Sequence, residues 1–214
     1  MKQGILSALL AISISGCANM TPEQQGALIG AVGGAVGGAV ISKTTGGKHT
    51  ARDAAIGAAI GGVAGYAWSS HMEKQRKEME AAAKGTGIEV SKTANNELKI
   101  DVPSDFSFDT GKYAIKPNMR PVLDKLGQTL NQNPVTLVRI IGHTDSTGSD
   151  AINNPLSVNR AAAVQSYLAN RGVAYNRMMT EGRGSREPVA SNSSAAGRAQ
   201  NRRVEIFVAE PVQQ

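Results

Sequence analysis

The sequence is poor in cysteine and in aromatic residues. Cys17 is the only cysteine among 214 residues, so an intramolecular disulfide is excluded, and no Cys/His pair has the spacing of a structural zinc site. Aromatic residues make up 4% of the chain, too few for a surface that stacks nucleic-acid bases, and the net charge of +6 is low for a nucleic-acid binder. We therefore expect a domain stabilised by its own core, with no metal ion, no cofactor and no nucleic-acid partner.

Sequence signatures of catalysis are also lacking. The sequence contains no Gly-x-Ser-x-Gly elbow and no His-Glu-x-x-His helix. Residues 46–50 fail as a phosphate loop because Ser42 stands where the first glycine should be, and residues 145–150 lack the spacing of a calcium loop. Asp109 and Asp145 could be imagined as an acid/base pair, but nothing in the sequence gives either carboxyl the environment of a general acid. We therefore predict that the protein is not an enzyme.

The first apolar run of the chain is too short to span a bilayer. It covers residues 5–14, follows Lys2, and is separated from Cys17 only by Ser15 and Gly16. A charged start, a short apolar stretch and small residues are the parts of a secretory signal peptide. The position of the cysteine at the expected cleavage point is the unusual feature.

This arrangement resembles the lipobox of bacterial lipoproteins. The resemblance implies that residues 1–16 are removed, that Cys17 then carries acyl chains such as palmitate, and that residues 17–25 form a lipidated tether. More than one buried acyl chain gives stable anchoring. Ala18, rather than aspartate, follows the cysteine, which in that family implies sorting to the outer membrane and contact with its lipid.

Glycine recurs at every fourth position in two uncharged stretches, residues 24–42 and 54–70. The glycines are Gly26, Gly30, Gly34, Gly38, Gly57, Gly61 and Gly65. A four-residue step places them on one helical face, so we predict a glycine-zipper helical hairpin over residues 26–70. Each interior glycine costs a solvated helix about 1 kcal/mol unless close packing returns that energy. Insertion into a membrane, a packed or self-associating hairpin that forms a homo-oligomer, and a flexible linker all stay open.

Residues 71–85 have a different composition, in which opposite charges stand four residues apart. The pairs are Glu73 with Lys77, Lys74 with Glu78, and Glu80 with Lys84. Such pairs support a solvated helix. We interpret this segment as a charged helical spacer whose exposed face has no packing partner.

Residues 86–210 alternate between strand and helix patterns. Strands are predicted at residues 97–102, 135–141, 178–181 and 203–208, and helices at residues 118–130 and 154–171. Phe106 and Phe108 could extend the first strand, and Asn154 is predicted to cap the second helix with Pro155 at its first position. This order predicts an α/β (α+β) sandwich in which helices cover one face of a mixed sheet.

Arg160 interrupts the apolar stripe of the second predicted helix. A buried guanidinium needs a partner, and the nearest acid in a suitable place is Asp145, in the loop that leaves the central strand and precedes this helix. Two readings stay open at this point. The residues could form a plain salt bridge that fixes the loop, or a split pair that faces a zwitterionic ligand.

Four motifs in this part of the chain resemble the OmpA-like peptidoglycan-binding domain. They are Phe108-Asp109, the Gly-His-Thr-Asp run 142–145, the segment 153–161 with its Leu-Ser-x-x-Arg step, and the run 197–204. The complete layout resembles the outer-membrane lipoproteins of the YiaD type. The resemblance implies that Asp145 and Arg160 bind the free end of diaminopimelate in the peptide stem of peptidoglycan. It also implies that Phe108, Asp109 and Thr144 line the pocket and that Asn201 and Arg202 support it.

The expected function is therefore non-covalent attachment of the outer membrane to the cell wall, with the C-terminal domain in the periplasm. The free end of diaminopimelate carries an ammonium and a carboxylate on one carbon, which an aspartate and a forked arginine match. An alternative of another class is a glycine-zipper oligomer, either a membrane pore or an assembly platform, which the wall-binding domain only anchors.

Overall fold

The computed structural model describes residues 66–211. Its helices are α1 (Ser70–Ala83), α2 (Ser104–Ser107), α3 (Arg120–Gln132), α4 (Asp150–Ala169) and α5 (Ala195–Asn201), with 3-10 turns at Pro117–Met119 and Tyr175–Arg177. Its strands are β1 (Glu89–Lys92), β2 (Leu98–Pro103), β3 (Leu137–His143), β4 (Met178–Gly184) and β5 (Arg203–Ala209).

The strands form one mixed sheet in the order β1-β2-β5-β3-β4. Strands β3 and β4 run parallel, with Val138 opposite Met178, and the other neighbours pair antiparallel. In β2, buried and half-buried residues alternate, because successive side chains point to opposite faces of the sheet. The buried set packs with apolar residues of α1, α3 and α4 in a single core. The predicted α/β sandwich, with helices on one face of a mixed sheet, is confirmed.

Two glycines allow α4 to approach the sheet closely. A Cβ atom on Gly142 of β3 would lie 2.1 Å from the carbonyl oxygen of Ser157, and one on Gly182 of β4 would lie 2.5 Å from Cγ2 of Val158. Neither distance is sterically possible, so the backbones meet only because both residues lack a side chain. This contact fixes α4, and with it Arg160 one turn beyond Ser157, against the ends of the strands.

Helix α1 differs from the predicted solvated spacer, because one of its faces is buried in the domain. Met72 and Met79 are fully buried two turns apart, and the Gln75 side-chain amide donates a hydrogen bond to Thr129 Oγ1 of α3 over 2.9 Å. The interpretation that this helix has no packing partner is therefore wrong. The charged residues indicate only the exposed face of the helix, whereas the seven-residue spacing of Met72 and Met79 marks the buried face.

The predicted charge pairs of α1 occur on that exposed face, with one exchange. Nζ of Lys77 lies 3.7 Å from Glu73, and Nζ of Lys74 lies 3.8 Å from Glu78. Glu80 pairs with Arg76 and not with Lys84, because the helix ends at Ala83 and Lys84 is its C-cap. Surface pairs of this kind contribute little to stability.

Two predicted boundaries in the domain are wrong. Residues 104–107 form the short helix α2, so Phe106 does not extend β2. Helix α4 begins at Asp150 with Ser149 as its N-cap, and Pro155 lies inside the helix and not at its first position. Proline signals a helix start only by preference, and here the preceding turn is already helical. Strand β1 and helix α5, which are four and seven residues long, were not predicted.

The segment that enters the domain is extended and not helical. Tyr66 forms an antiparallel bridge with Pro211, the Ala67 N–H donates to the Glu210 carbonyl over 2.9 Å, and the Ser69 hydroxyl donates to the Glu210 carboxylate over 2.6 Å. The predicted hairpin is therefore wrong for residues 66–69.

The remaining N-terminal predictions, which are the signal peptide, Cys17, the tether and the glycine faces, lie outside the described residues. Among residues 66–211, no helix combines the length and apolar character that crossing a membrane requires.

Candidate functional site

Three chain segments meet at one end of the sheet. Strand β2 ends beside the start of β5, with Pro103 opposite Arg203, and β3 ends beside the same strand, with Gly142 opposite Val204. Residues just beyond these ends therefore come close together. They include Ser104, whose N–H donates to the Arg202 carbonyl over 2.9 Å.

Asp145 follows the end of β3 and is buried, with 7% of its surface exposed. Its Oδ1 accepts a hydrogen bond from the Thr147 N–H over 2.8 Å, and its Oδ2 accepts one from Arg202 Nη1 over 2.8 Å. Burial raises the pKa of this carboxyl, but the hydrogen bonds from Arg202 and Thr147 outweigh burial and hold the pKa below its usual range. Asp145 is therefore an anion in the folded protein.

Arg160 projects from α4 and has only 3% of its surface exposed. Its Nε donates to the Lys112 carbonyl over 3.1 Å and its Nη1 donates to Ser104 Oγ over 3.4 Å. Among the described residues, no carboxylate lies within 4.0 Å of this guanidinium, so the plain Asp145–Arg160 salt bridge is not formed. Burial lowers the pKa of Arg160, and the nearby charges of Asp105 and Asp145 oppose that effect.

Arg202, which stands directly before β5, connects two carboxylates. It forms two hydrogen bonds with Asp105, Nε to Oδ1 over 3.1 Å and Nη2 to Oδ2 over 2.7 Å, in addition to its bond with Asp145. The supporting role of Arg202 stays a prediction, and the structure places this residue between Asp105 and Asp145. Asp105 was missed by the sequence reasoning, because its only signal was a position just after a strand.

Asn201 acts on the backbone of a neighbouring loop. Its Oδ1 accepts from the N–H groups of Val189 and Ala190 over 2.8 and 2.9 Å, and its Nδ2 donates to the Ala190 carbonyl and to Asn192 Oδ1. Asn192 Oδ1 also accepts from the Ser146 N–H over 3.2 Å, so this loop is linked to the one that carries Asp145. All hydrogen-bonding positions of the fully buried Asn201 amide are used, which fits a supporting role and leaves no donor for a ligand.

The three remaining predicted pocket residues differ in placement. Phe108 is buried, and its ring centroid lies 5.3 Å from the Arg160 guanidinium carbon. The Thr144 N–H donates to the Gly184 carbonyl, while its buried Oγ1 has no hydrogen-bond partner among residues 66–211. Asp109 is exposed, and its carbonyl accepts from the Lys112 N–H over 2.9 Å. The structure thus brings Phe108 to Arg160, but it records no side-chain contact between Asp109 and this arginine.

We call Asp105, Asp145, Arg160 and Arg202 the charge cluster. It combines two carboxylates with two guanidinium groups, of which only Arg202 is paired with a carboxylate. Such a cluster can bind an ammonium beside Asp145 and a carboxylate beside Arg160. Among residues 66–211, no group of His, Cys, Asp or Glu side chains is arranged to hold a metal ion.

Comparison with known proteins agrees with this architecture. The OmpA family model matches residues 107–202, and the model of the YMGG-like Gly-zipper matches residues 1–73. The chain is 38% identical over 208 residues to the probable lipoprotein YiaD of Escherichia coli (strain K12), a match that covers 92% of this chain and 91% of that protein. The chain therefore belongs to the OmpA family, and it shares the two-part layout of the YiaD type.

Two further similarities concern the C-terminal domain. The peptidoglycan-binding protein ArfA of Mycobacterium tuberculosis (strain ATCC 25618 / H37Rv) is 49% identical over 102 residues, which cover 48% of this chain and 31% of that protein. The solved structure of the cell wall anchor of the T6SS from Pseudomonas aeruginosa has a TM-score of 0.57 and 30% identity, and the match covers 64% of this chain and 96% of that one.

Proposed function

We propose that this protein binds peptidoglycan non-covalently through the free end of diaminopimelate in the stem peptide. In this proposal, Asp145 receives the ammonium and Arg160 receives the carboxylate. The observation that carries the proposal is Arg160, a guanidinium that is 3% exposed and that, within the described part of the chain, has no carboxylate partner. A buried cation without a counter-ion is costly, and a ligand carboxylate would offset that cost.

The chemistry of the two ends of the site supports this assignment. A guanidinium presents paired donors that match a carboxylate, whereas an ionised carboxylate accepts from an ammonium. The low pKa of Asp145 supports a role as a fixed anion and not as a general acid, which favours binding over catalysis. Phe108 packs against Arg160 on the apolar side of the proposed pocket.

The comparisons support the same ligand class. ArfA is named as a peptidoglycan-binding protein, and the T6SS structure is described as that of a cell wall anchor. Because both similarities lie in the domain that contains the charge cluster, we transfer peptidoglycan binding to this domain as part of the proposal.

The deciding experiment is a pull-down of the full chain with isolated sacculi. Asp145→Asn removes the anion while keeping the shape, and Arg160→Lys keeps the charge but loses the two-pronged contact, so each should weaken binding by roughly tenfold or more. Asp124→Asn is a matched control, because Asp124 also pairs with an arginine, Arg171, away from the site.

Walls with lysine in place of diaminopimelate should bind poorly, since the side-chain carboxylate is missing. Equal binding to both walls, or full binding by folded Asp145→Asn, would reject the proposal.

We also propose that the protein ties this wall contact to the outer membrane through an acylated Cys17. The lipobox-like residues before Cys17 and the similarity to the probable lipoprotein YiaD support the anchor. Mass spectrometry of the mature protein should show an N-terminal acylated cysteine, and Cys17→Ala should accumulate as a precursor. An unmodified Cys17 in the mature protein would contradict this anchor.

Self-association through the glycine faces remains a second candidate role. The match of residues 1–73 to the YMGG-like Gly-zipper model favours it. Replacing Gly34 and Gly61 with leucine should then abolish cross-linked oligomers, because close helix packing leaves no room for a side chain. Oligomers that persist unchanged in the double variant would remove this role.

A further inference from the structure

Asp105 is an acidic residue of the charge cluster to which neither the sequence motifs nor the proposed function gives a role. It lies in α2, and its carboxylate receives two hydrogen bonds from Arg202, at 3.1 and 2.7 Å. Its side chain is 61% exposed, so it stands at the solvent side of the cluster, whereas the Asp145 side chain is 10% exposed. Arg202 thus lies between an outer and an inner carboxylate.

We propose that Asp105 sets the charge selectivity of the site, so that the site prefers a zwitterionic ligand end over a plain carboxylate of the same shape. This inference rests on the proposed function, because it concerns the same ligand. Asp105 is a specificity-determining residue that acts through Arg202 and through the field at Arg160, without touching the ligand itself.

The first step of the argument concerns the Asp145 anion. Arg202 donates to Asp145 over 2.8 Å, and a cation at this distance reduces the attraction of the carboxylate for a ligand ammonium. The second carboxylate, Asp105, compensates the charge of Arg202 on its other side. Asp145 therefore keeps a net negative field although it is itself paired.

The second step concerns Arg160. Among the charges that favour the ionised state of Arg160, Asp105 acts more strongly than Asp145, while Arg202 acts in the opposite direction. Asp105 thus weakens the attraction of the two arginines for an anion. The same negative charge helps an ammonium and hinders a lone carboxylate, which is the definition of zwitterion selectivity.

The two guanidinium groups and two carboxylates of the charge cluster sum to zero, as do the charges of the ligand end. Asp105→Asn changes the sum by one positive unit, which should raise the affinity of the site for an anion and lower its relative affinity for the zwitterion. Other charges nearby do not alter the direction of this change. Lys116 is an example, because its Nζ donates to the backbone carbonyl of Asp105, a contact that a change of the Asp105 side chain leaves in place.

The test compares two ligands by calorimetry with the full chain in detergent micelles. The probes are meso-diaminopimelate and pimelate, which has the same carbon chain and both carboxylates but no amines. The measured quantity is the ratio of their affinities, because a purely structural effect of a substitution changes both ligands by the same factor.

We expect the wild type to prefer diaminopimelate and Asp105→Asn to lower that preference by about threefold, the size expected for a partly exposed charge. Asp105→Glu should restore the preference, and Asp101→Asn should leave it unchanged, because Asp101 pairs with Lys99 on β2 and not with the cluster. In an Arg202→Met background, the Asp105→Asn effect should shrink, since the charge it compensates is gone.

An unchanged affinity ratio in Asp105→Asn would overturn the inference, whether both affinities stay the same or both fall by the same factor. Either result would leave the proposed function intact. Failure of the wild type to bind diaminopimelate at all would instead refute the proposed function.

Discussion

Arg202 Nη1 and Asp145 Oδ2 are 2.8 Å apart, so the aspartate that the sequence pairs with Arg160 is bound by a different arginine. The two oxygens of a carboxylate can together accept about four hydrogen bonds, and Asp145 receives three, from the backbone N–H and the side chain of Thr147 and from Arg202. An ammonium can therefore join Asp145 without displacing any of these donors. The ligand would complete the site, and no internal ion pair would have to break first.

The low pKa of Asp145 predicts a defined dependence of stability on pH. A carboxyl whose pKa is lower in the folded than in the unfolded chain contributes stability above the unfolded value, about 3.9, and loses it as the pH falls through the folded value. Thermal unfolding of the wild type should therefore show this contribution intact above about pH 5 and declining below about pH 4. Asp145→Asn should lack that part of the acid-dependent decline. A difference between the two proteins that appears instead above pH 5 would mean that the pKa of Asp145 is raised.

Replacement of Arg160 should reduce ligand binding without reducing the stability of the domain. Replacing this buried cation with methionine removes its desolvation cost, and the hydrogen bonds that are lost, to the Lys112 carbonyl at 3.1 Å and to Ser104 Oγ at 3.4 Å, are long and too weak to outweigh that gain. Arg160→Met should therefore abolish sacculus binding while the melting temperature stays level or rises.

Arg177 is the matched control for that variant. Its guanidinium donates to the carbonyls of Leu130, Asn133 and Thr136 near the end of α3, so its polar partners depend on it. Arg177→Met should lower the melting temperature and leave binding intact in the folded fraction. Equal destabilisation in both variants would show that Arg160 is a structural residue.

The buried face of α1 predicts that this helix contributes to the stability of the domain. Met79 is fully buried in the core. Met79→Ala should therefore lower the free energy of unfolding by about 2 to 5 kcal/mol. Lys77→Ala, whose side chain is 68% exposed on the same helix, should change it by less than about 0.5 kcal/mol. Chemical denaturation of the full chain measures both. Similar small effects would restore the interpretation of α1 as a free spacer.

Asn201 predicts a local effect on the loop of residues 189–192. Asn201→Ala leaves two buried N–H groups without their acceptor, at a cost of about 1 to 3 kcal/mol for each unsatisfied group. Limited proteolysis should then cut this loop faster, and sacculus binding should weaken because the loop also holds Ser146 through Asn192. Asn131→Ala, which removes one exposed bond to the Arg171 carbonyl, should change neither measurement. Unchanged cleavage in Asn201→Ala would show that other contacts hold the loop.

Local patterns predicted the elements whose residues repeat over several turns or pleats. The apolar run before Gly142 identified β3, and the helical spacing of Val122, Leu126 and Leu130 identified α3. Elements with only one turn or a few pleats, such as α2 and β1, carry too few residues for a period to be recognised.

The charge cluster was only partly predictable for a different physical reason. Helical periodicity showed that Arg160 is on the buried face of its helix, and the structure agrees. Arg202 lies 57 residues after Asp145 and 97 residues after Asp105 in the sequence, so the order of the strands in the sheet decides which of these residues meet. No local pattern encodes that order. The family motif directed attention to Arg202, but not to Asp105.

The two ends of the sheet have a mechanical consequence. The chain enters at Tyr66, beside Pro211 at one end of β5, while the charge cluster lies beyond Arg203 at the opposite end of the same strand. A pull between these points is therefore directed along the strands, over roughly 23 Å for seven residues at about 3.3 Å each. In this direction the ladder hydrogen bonds of β2, β5 and β3 are loaded in shear and share the tension, whereas a perpendicular pull would open them one after another.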